Sequence, residues 1–214
     1  MARPKHACAE VTHNRILEAA TRLLTTHDPA AISLRRIAAD AGVASSLIVH
    51  YFGSRDALYR QVLDGFHAEV IGLFEHLLLE LFAPKARESE LESCVRQALR
   101  FARSHRGELR LQRALLQRDQ RLAEEAYRQL IDPALERISA AICARRPGRS
   151  VQAVRLLLHA LGAVLVEHAT SDMERLRSLF GRPSAAEHEL ISASERFVVQ
   201  LAKELLNVQQ TAAA

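Results

Sequence analysis

Apolar residues along this chain recur at the three- and four-residue spacing of amphipathic α-helices. The stretch from Thr12 to Thr26 shows this pattern first, and Thr12 is a candidate N-cap for a helix there. Its predicted buried stripe consists of Ile16, Ala19, Ala20, Leu23 and Leu24. Pro29 then interrupts the pattern, because proline has no amide hydrogen and disfavours helix at the preceding residue.

The next twenty residues, SLRRIAADAGVASSLIVHYF at 33–52, predict two short helices around a tight turn. Ser33 is a candidate cap for a helix over 33–40, the turn spans 41–43, and a second helix covers 44–50. Gly42 stands in the turn, where glycine adopts positive φ without a steric penalty. This arrangement is a helix-turn-helix, which presents its second helix to the major groove of DNA.

The rest of the chain also predicts helices. Gly53 ends the second short helix, and Ser54 caps a long fourth helix that runs to about Phe82. Further helices are expected over 88–104, 108–118, 120–145, 151–179 and 186–206, with a bend near Pro133. The predicted fold is therefore all-α with about nine helices. A three-helix head at 1–55 precedes a helical domain at 56–214.

The most apolar predicted helix is the one over 151–179. Between Leu156 and Val166 its only polar residue is His159, so we expect it to be buried on every side. The last helix, over 186–206, is predicted to bury a face formed by Leu190, Phe197, Leu201 and Leu205. These two helices could form the core of one chain, or a four-helix bundle between two copies, and we favour the homodimer.

Composition narrows the class of protein further. Hydrophobic residues make up 49% and charged residues 25% of the 214 positions, with only 8 Gly and 6 Pro, which favours helices. No run of 18 apolar residues predicts a membrane span, and the N-terminus has no apolar region typical of a secretory signal. Three widely spaced cysteines, Cys8, Cys94 and Cys143, favour a reducing cytoplasm and leave a redox-sensing thiol possible.

The motifs of common enzyme and metal sites are missing from the sequence. There is no CxxC pair, HExxH, GxSxG, GxGxxG or P-loop. We therefore expect no catalytic residues, no metal and no cofactor. The net charge of +4 is shared evenly between residues 1–65 and 66–214, so attraction to DNA depends on where the charges lie.

The segment from about Thr12 to Tyr59 resembles the DNA-binding head of the TetR (tetracycline repressor) family. The matching pattern is Ser33-x-x-x-Ile37-Ala38, Ala41-Gly42-Val43, Tyr51-Phe52 and Ser54-Arg55-Asp56-x-Leu58-Tyr59. The family usually has Thr at position 47 and Tyr at position 49, where this chain has Leu47 and Val49. These differences leave the operator sequence open.

Candidate DNA contacts combine this resemblance with side-chain chemistry. Arginine donates two hydrogen bonds to phosphate or guanine, small residues let the backbone approach DNA, and leucine can touch a thymine methyl. The resemblance makes Arg55 a phosphate clamp at the start of the fourth helix. The full candidate set is Ser33, Arg35, Arg36, Ala44, Ser45, Ser46, Leu47, His50 and Arg55.

The resemblance also implies a mode of regulation in which the domain at 56–214 binds a ligand and forms the dimer. Two heads one helical turn apart match a palindromic double-stranded operator, so dimerisation is part of the mechanism. Family members usually bind a small molecule among the middle helices and act as repressors that it releases from DNA. Aromatic residues make up only 5% of the chain, without Trp, which favours an aliphatic or acyl effector. Candidate lining residues are Phe74, His76, Leu77, Phe101, Leu115, Gln117 and His159.

Two other classes of function remain as alternatives. An enzyme or small-molecule carrier built on a helical bundle would need a nucleophile with a base, or a metal triplet, and the sequence shows neither. A structural helical adaptor would give the Ser, Arg and His residues around 33–55 no purpose. Binding to DNA upstream of the gene discriminates these alternatives from a transcriptional regulator.

Overall fold

The computed structural model describes residues 5–81, 88–118, 128, 131–145, 148 and 150–207. Within these ranges the chain forms helices and no strand, so the all-α prediction is confirmed with ten α-helices. They are α1 (Lys5–Thr26), α2 (Leu34–Ala41), α3 (Ser45–Phe52), α4 (Arg55–Leu81), α5 (Glu88–Ser104), α6 (Arg106–Arg118), α7 (Asp132–Arg145), α8 (Val151–Thr170), α9 (Met173–Leu179) and α10 (Glu187–Asn207). A short 3₁₀ helix, η1 (Pro29–Ala31), precedes α2.

Parts of the predicted long helices have no described counterpart. The expected end of the fourth helix at Phe82 lies outside the described residues, as do residues 120–127, 129 and 130 of the helix predicted over 120–145. In that region α7 begins at Asp132, with Pro133 in its first turn. Proline is tolerated there because the first amide groups of a helix have no intrahelical partner.

Helix α1 confirms the predicted stripe but not its predicted start. Ile16, Ala19, Ala20, Leu23 and Leu24 are all buried. The helix begins at Lys5, so Thr12 lies inside it and the N-cap prediction was wrong. Residues 5–11 contain no glycine or proline, and nothing in them stops the helix from extending by two turns.

The chain divides into two compact units. Unit 1 comprises Met1–Val70 and His105–Ala123, and unit 2 comprises Ile71–Ser104 and Glu124–Ala214. In unit 1, α6 packs against α1 and η1, with Leu111 fully buried. The second residue of α6, Gly107, lies so close to α1 that an added Cβ would be 2.7 Å from the carbonyl carbon of Leu24.

Unit 2 is built from the part of α4 that starts at Ile71 and from α5, α7, α8, α9 and α10. One apolar cluster joins α5 to α10 and α8, with Val95, Val198, Val199 and Ala202 at its centre. A second cluster joins α7 to α8 through Ile138, Ile142 and Val154. Ion pairs add to the first contact, because Glu195 of α10 lies 3.2 Å from Arg96 and 3.3 Å from Arg103, both on α5.

The helix predicted over 151–179 is in fact two helices. Helix α8 ends at Thr170, and α9 starts after Asp172, whose carboxylate accepts a hydrogen bond from the Arg175 amide at 2.7 Å. Asp172 is a helix N-cap, and N-caps adopt an extended backbone conformation that interrupts a preceding helix. The prediction followed hydrophobic periodicity and missed this local capping signal.

Helix α8 is also more exposed than predicted. The expectation that it is buried on every side was wrong for the single chain, because Leu156 is 69% exposed, and Val151, His159, Ala160 and Ala163 are also exposed. On α10, Phe197 is 46% exposed instead of buried, and the buried side runs through Leu190, Ser194, Val198 and Ala202. Leu201 is half-buried, and the side chain of Leu205 lies outside the described residues. Unit 2 covers only one side of α8.

Candidate nucleic-acid interface

The turn between α2 and α3 has the geometry predicted for a helix-turn-helix. Gly42 follows α2 with φ of 63°, a left-handed conformation that glycine adopts without strain. The Val43 amide donates to the Ala38 carbonyl at 2.9 Å, and the Gly42 amide donates to the Ala39 carbonyl at 3.2 Å. These two bonds form a Schellman motif, which ends α2 and directs the chain into α3.

The exposed Arg15 of α1 binds the backbone of this turn. Its Nη2 atom donates to the Ala41 carbonyl at 2.6 Å, and it occupies the space beside Gly42, 2.9 Å from where a Cβ would lie. A cation at the C-terminal end of α2 also interacts favourably with the helix dipole. Sequence spacing gave no sign of this contact, because it joins residues 26 positions apart.

Buried side chains fix the orientation of α3. Ile48 and Phe52 are buried. The ring of His13 stacks on Phe52 with 4.7 Å between centroids, and a hydrogen bond of 2.9 Å joins His13 Nε2 and Gln61 Oε1. Sequence analysis did not single out His13, although it lies three residues before Ile16 and continues the buried stripe of α1.

The predicted DNA contacts on α2 lie at the surface. Ser33 caps α2, since its Oγ accepts from the Arg36 amide at 3.2 Å, and its side chain remains exposed. Arg35 and Arg36 are exposed, and neither forms an ion pair within the described ranges. Arg22 differs, because it pairs with Asp40 at 2.8 Å. Two adjacent guanidinium groups are therefore available to phosphate oxygens.

The predicted contacts on α3 are also exposed. Ala44, Ser45, Ser46 and His50 lie on the surface, and Leu47 is 36% exposed. Val49, which was not a predicted contact, is 52% exposed. Only small, hydroxyl, imidazole and apolar groups therefore face solvent from this helix. Whether each one touches DNA stays a prediction.

Arg55 makes contacts within its own chain that the sequence analysis did not predict. Its Nη1 lies 3.5 Å from the Ala30 carbonyl and 3.4 Å from the Ile32 carbonyl, and its guanidinium lies 5.9 Å from the Tyr59 ring centroid. The Tyr59 hydroxyl donates to the Pro29 carbonyl at 3.1 Å. Arg55 therefore helps to fasten the segment before α2, and a phosphate contact would be its second role.

The seven predicted effector contacts occupy both units and differ in burial. Leu115 and Gln117 belong to unit 1, and the other five belong to unit 2. Leu77 is buried, with its carbonyl 3.7 Å from the Cys94 sulfur, while Phe101 and Leu115 are half-buried. The remaining four are exposed: Phe74, His76, Gln117 and His159. Their role in ligand binding stays a prediction.

Two buried titratable groups of unit 1 were not predicted. Burial lowers the pKa of His67, partly offset by the nearby Asp64 carboxylate, and neither ring nitrogen has a hydrogen-bond partner of regular geometry among the described residues. Burial raises the pKa of Glu108, and its Oε2 has no hydrogen-bond partner. In unit 1, burial therefore disfavours the charged forms of one imidazole and one carboxyl group. Within the described ranges, no three His, Cys, Asp or Glu residues are grouped so as to hold a metal ion.

Sequence comparison identifies the segment that contains this surface. Residues 16–62 match the family described as bacterial regulatory proteins, tetR family. Two HTH-type transcriptional regulators of Mycobacterium tuberculosis, from strains CDC 1551 and H37Rv, are each 47% identical over 49 residues. That match covers 23% of this chain and 24% of each relative, so it concerns the helix-turn-helix segment alone.

Solved structures extend the likeness to the whole fold. A TetR-family transcriptional regulator from Mesorhizobium loti matches with a TM-score of 0.67 at 18% identity, covering 94% of this chain and 97% of its own. A tetR-family regulator from Streptomyces coelicolor matches with a TM-score of 0.60 at 15% identity, covering 95% and 82%. At these identities the likeness shows the fold, including the helical region that follows the matched segment.

Proposed function

We propose that this chain is a member of the TetR family of bacterial regulatory proteins and a ligand-responsive repressor that binds a palindromic operator as a homodimer. The observation that carries the proposal is the exposed surface of α2 and α3. Arg35 and Arg36 are unpaired among the described residues, and α3 presents short side chains over a firmly packed inner face. Phosphate contacts of this kind position a protein on the duplex, while the exposed α3 residues meet the base edges.

The two arginines provide the direct test. In a homodimer, even one phosphate contact per protomer gives two contacts for each operator. Replacing both residues (Arg35→Ala with Arg36→Ala) should therefore reduce the slope of log affinity against log salt by about 1.8. Fluorescence anisotropy on DNA from upstream of the gene measures this slope at several salt concentrations.

A matched control and a clear contrary result accompany this test. Arg182→Ala removes an exposed arginine from unit 2 and should leave the salt slope unchanged. Binding of the double variant with an unchanged slope would contradict the assignment of these arginines. If the unmodified protein binds no upstream duplex even at low salt, DNA recognition by this surface fails, and the carrier or adaptor alternatives return.

Dimerisation through α8 and α10 is the second part of the proposal. Leu156, Ala160 and Ala163 recur at helical spacing on the exposed side of α8, and Phe197 of α10 is also exposed. Small residues allow two helices to approach closely, and burying the leucine and phenylalanine side chains would supply the hydrophobic free energy of association. A dimer supported in this way would hold two copies of α3 for the two halves of a palindrome.

A charge placed on this face tests the dimer. Leu156→Arg should convert the protein to a monomer in sedimentation velocity and abolish high-affinity operator binding. Leu116→Arg alters a residue on α6 that is also partly exposed, and it should leave the oligomeric state unchanged. A dimer that persists in Leu156→Arg at low micromolar concentration would show that another face mediates association.

We further propose a cytoplasmic location. The segment Val151–Thr170 is long and apolar enough to cross a membrane by length and composition, although no other helix in the described ranges meets that description. In the proposed dimer, its exposed side contacts the partner instead of lipid. Cell fractionation tests this directly, since the protein should appear in the soluble fraction and not with the membranes.

Release by a small molecule completes the proposed function. An effector shifts the protein away from DNA only if it binds the incompetent state more tightly, by about 10⁴-fold for a nearly complete switch. The low aromatic content favours an aliphatic or acyl compound. Decanoate and dodecanoate should raise the melting temperature and release operator DNA, while acetate at equal ionic strength should not. Stabilisation without release would contradict an inducer role for these compounds.

A further inference from the structure

Helix α3 is unusual in the polar groups that it lacks. Its sequence, SSLIVHYF, contains no Arg, Lys, Asn, Gln, Asp or Glu. Those side chains make the bidentate or acceptor contacts that distinguish guanine, adenine and cytosine in the major groove. Two serine hydroxyls, the His50 imidazole and the phenol hydroxyl of the half-buried Tyr51 remain, and hydroxyl groups can bond to several bases. Polar contacts from α3 therefore give little discrimination between sequences.

The same helix exposes two branched apolar side chains. Ile48 is fully buried, and neighbouring residues of a helix are separated by about 100° around its axis. Leu47 and Val49 therefore flank the outward side of α3 from opposite directions, at 36% and 52% exposure. Val49 leaves about half of its surface in water, and valine is a weaker helix former than most residues, so neither burial nor helix propensity accounts for a valine here.

The thymine C5-methyl group is the apolar group that the major groove offers. Contact with a leucine or valine side chain removes apolar surface of both partners from water. Because Leu47 and Val49 lie on different sides of α3, one helix could reach methyl groups at two separate base pairs. Such contacts discriminate thymine from cytosine without any hydrogen bond.

We propose that Leu47 and Val49 read thymine methyl groups in each operator half-site, and that Val49 is a specificity-determining residue of this protein. The inference rests on the proposed DNA-binding function. It predicts an operator in which at least two thymines per half-site contribute to affinity through their methyl groups alone. Substituting these two residues would then change the preferred sequence and not the general affinity for DNA.

Deoxyuridine provides the test, because it differs from thymidine only by the methyl group. Duplexes are first selected from a random library with the full-length protein. Each thymine in a half-site is then replaced by deoxyuridine, one base pair at a time. We expect two positions at which affinity falls about fourfold, the effect of losing one buried methyl-sized group. Val49→Ala should remove the effect at one position, and Leu47→Ala should remove it at the other.

Controls separate the possible failures. Val151→Ala alters an exposed valine of α8 in unit 2, and it should keep both thymine effects. Melting temperatures of the three variants show whether they remain folded. If no duplex is enriched, the proposed function itself fails. If a duplex is enriched but deoxyuridine changes nothing, or if the effects persist in both α3 variants, methyl reading by these residues is refuted while DNA binding stands.

Discussion

The close approach of α6 to α1 at Gly107 gives the sharpest prediction about stability. Gly107 of α6 faces the backbone of α1. In Gly107→Ala, the new Cβ would lie 2.7 Å from the Leu24 carbonyl carbon, 2.9 Å from its oxygen and 2.9 Å from the Thr25 nitrogen. All three are backbone atoms, so no side-chain rotation can relieve the contact.

The magnitude follows from these distances. Carbon atoms in favourable contact are separated by about 3.5–4.0 Å, so α1 and α6 must move apart by about 1 Å. Overpacking of a core costs about 1–3 kcal/mol, and a contact between two helix backbones belongs in the upper part of that range. Taking about 2 kcal/mol for a chain of this size, we expect the melting temperature to fall by about 4–8 °C.

A glycine-to-alanine substitution on α4 should increase stability instead of decreasing it. Gly65 lies on α4 in unit 1, and a Cβ added there would meet nothing within 4 Å. Gly65→Ala should therefore stabilise the protein by about 0.5–1 kcal/mol, because alanine loses less backbone entropy than glycine in a helix interior. Urea unfolding and thermal unfolding of both variants, measured with the unmodified protein, give the comparison.

Opposite changes in stability for Gly107→Ala and Gly65→Ala make the test decisive. A general effect of added methyl groups, or of changes in the unfolded chain, would move both variants in one direction. If Gly107→Ala matches or exceeds the stability of the unmodified protein, the close contact of α6 with α1 is wrong. If Gly65→Ala is strongly destabilising, the surface of α4 at that position is not free in solution.

Three further outcomes concern buried or partly buried polar groups. Arg15→Met keeps the aliphatic part of the side chain but removes the donor to the Ala41 carbonyl. It should lower the free energy of unfolding in urea by about 1–2 kcal/mol. No loss of stability would mean that a water molecule replaces the arginine as hydrogen-bond donor equally well. Burial holds the pKa of His67 below its ordinary 6.5, so the unfolded chain takes up a proton first as the pH falls below 6.5. The free energy of unfolding should therefore decrease by up to about 1.4 kcal/mol per pH unit because of His67. His67→Phe should flatten that part of the plot of unfolding free energy against pH. Burial raises the pKa of Glu108 above 4.5, so the stability that its protonated form contributes is present below pH 4.5 and lost as the pH rises through the folded pKa. Glu108→Gln should be more stable than the unmodified protein at neutral pH and equal to it below pH 4.5. The same difference in unfolding free energy at all pH values would contradict this.

Local signals account for what the sequence predicted correctly in the head. Ser33 and Ser54 are helix caps, with their Oγ atoms accepting from amides at 3.2 and 3.1 Å. Gly42 and Gly53 adopt positive φ where helices end. Each of these assignments depends on a few neighbouring residues, so the sequence alone contains the information. The surface positions on α2 and α3 then follow from the helical period.

Contacts between distant segments account for what the sequence did not reveal. Arg15 reaches Ala41 and Gly107 reaches Leu24 only after the helices have packed, and no spacing rule relates those positions. The burial of His67 and Glu108 has the same origin. Helix α8 illustrates another limit, because its apolar pattern shows that Leu156 favours apolar surroundings but not whether one chain supplies them.

The inner residues of α3 pack in the core, and the outer residues carry the proposed sequence specificity. Its inner residues, Ile48 and Phe52, and the turn held by Arg15 supply the packing that fixes the helix. Its outer residues, Leu47 and Val49 among them, leave much of their surface in water, so substitutions there have little effect on folding. Under the proposed function, a head of this design can therefore change its preferred DNA sequence without losing its fold.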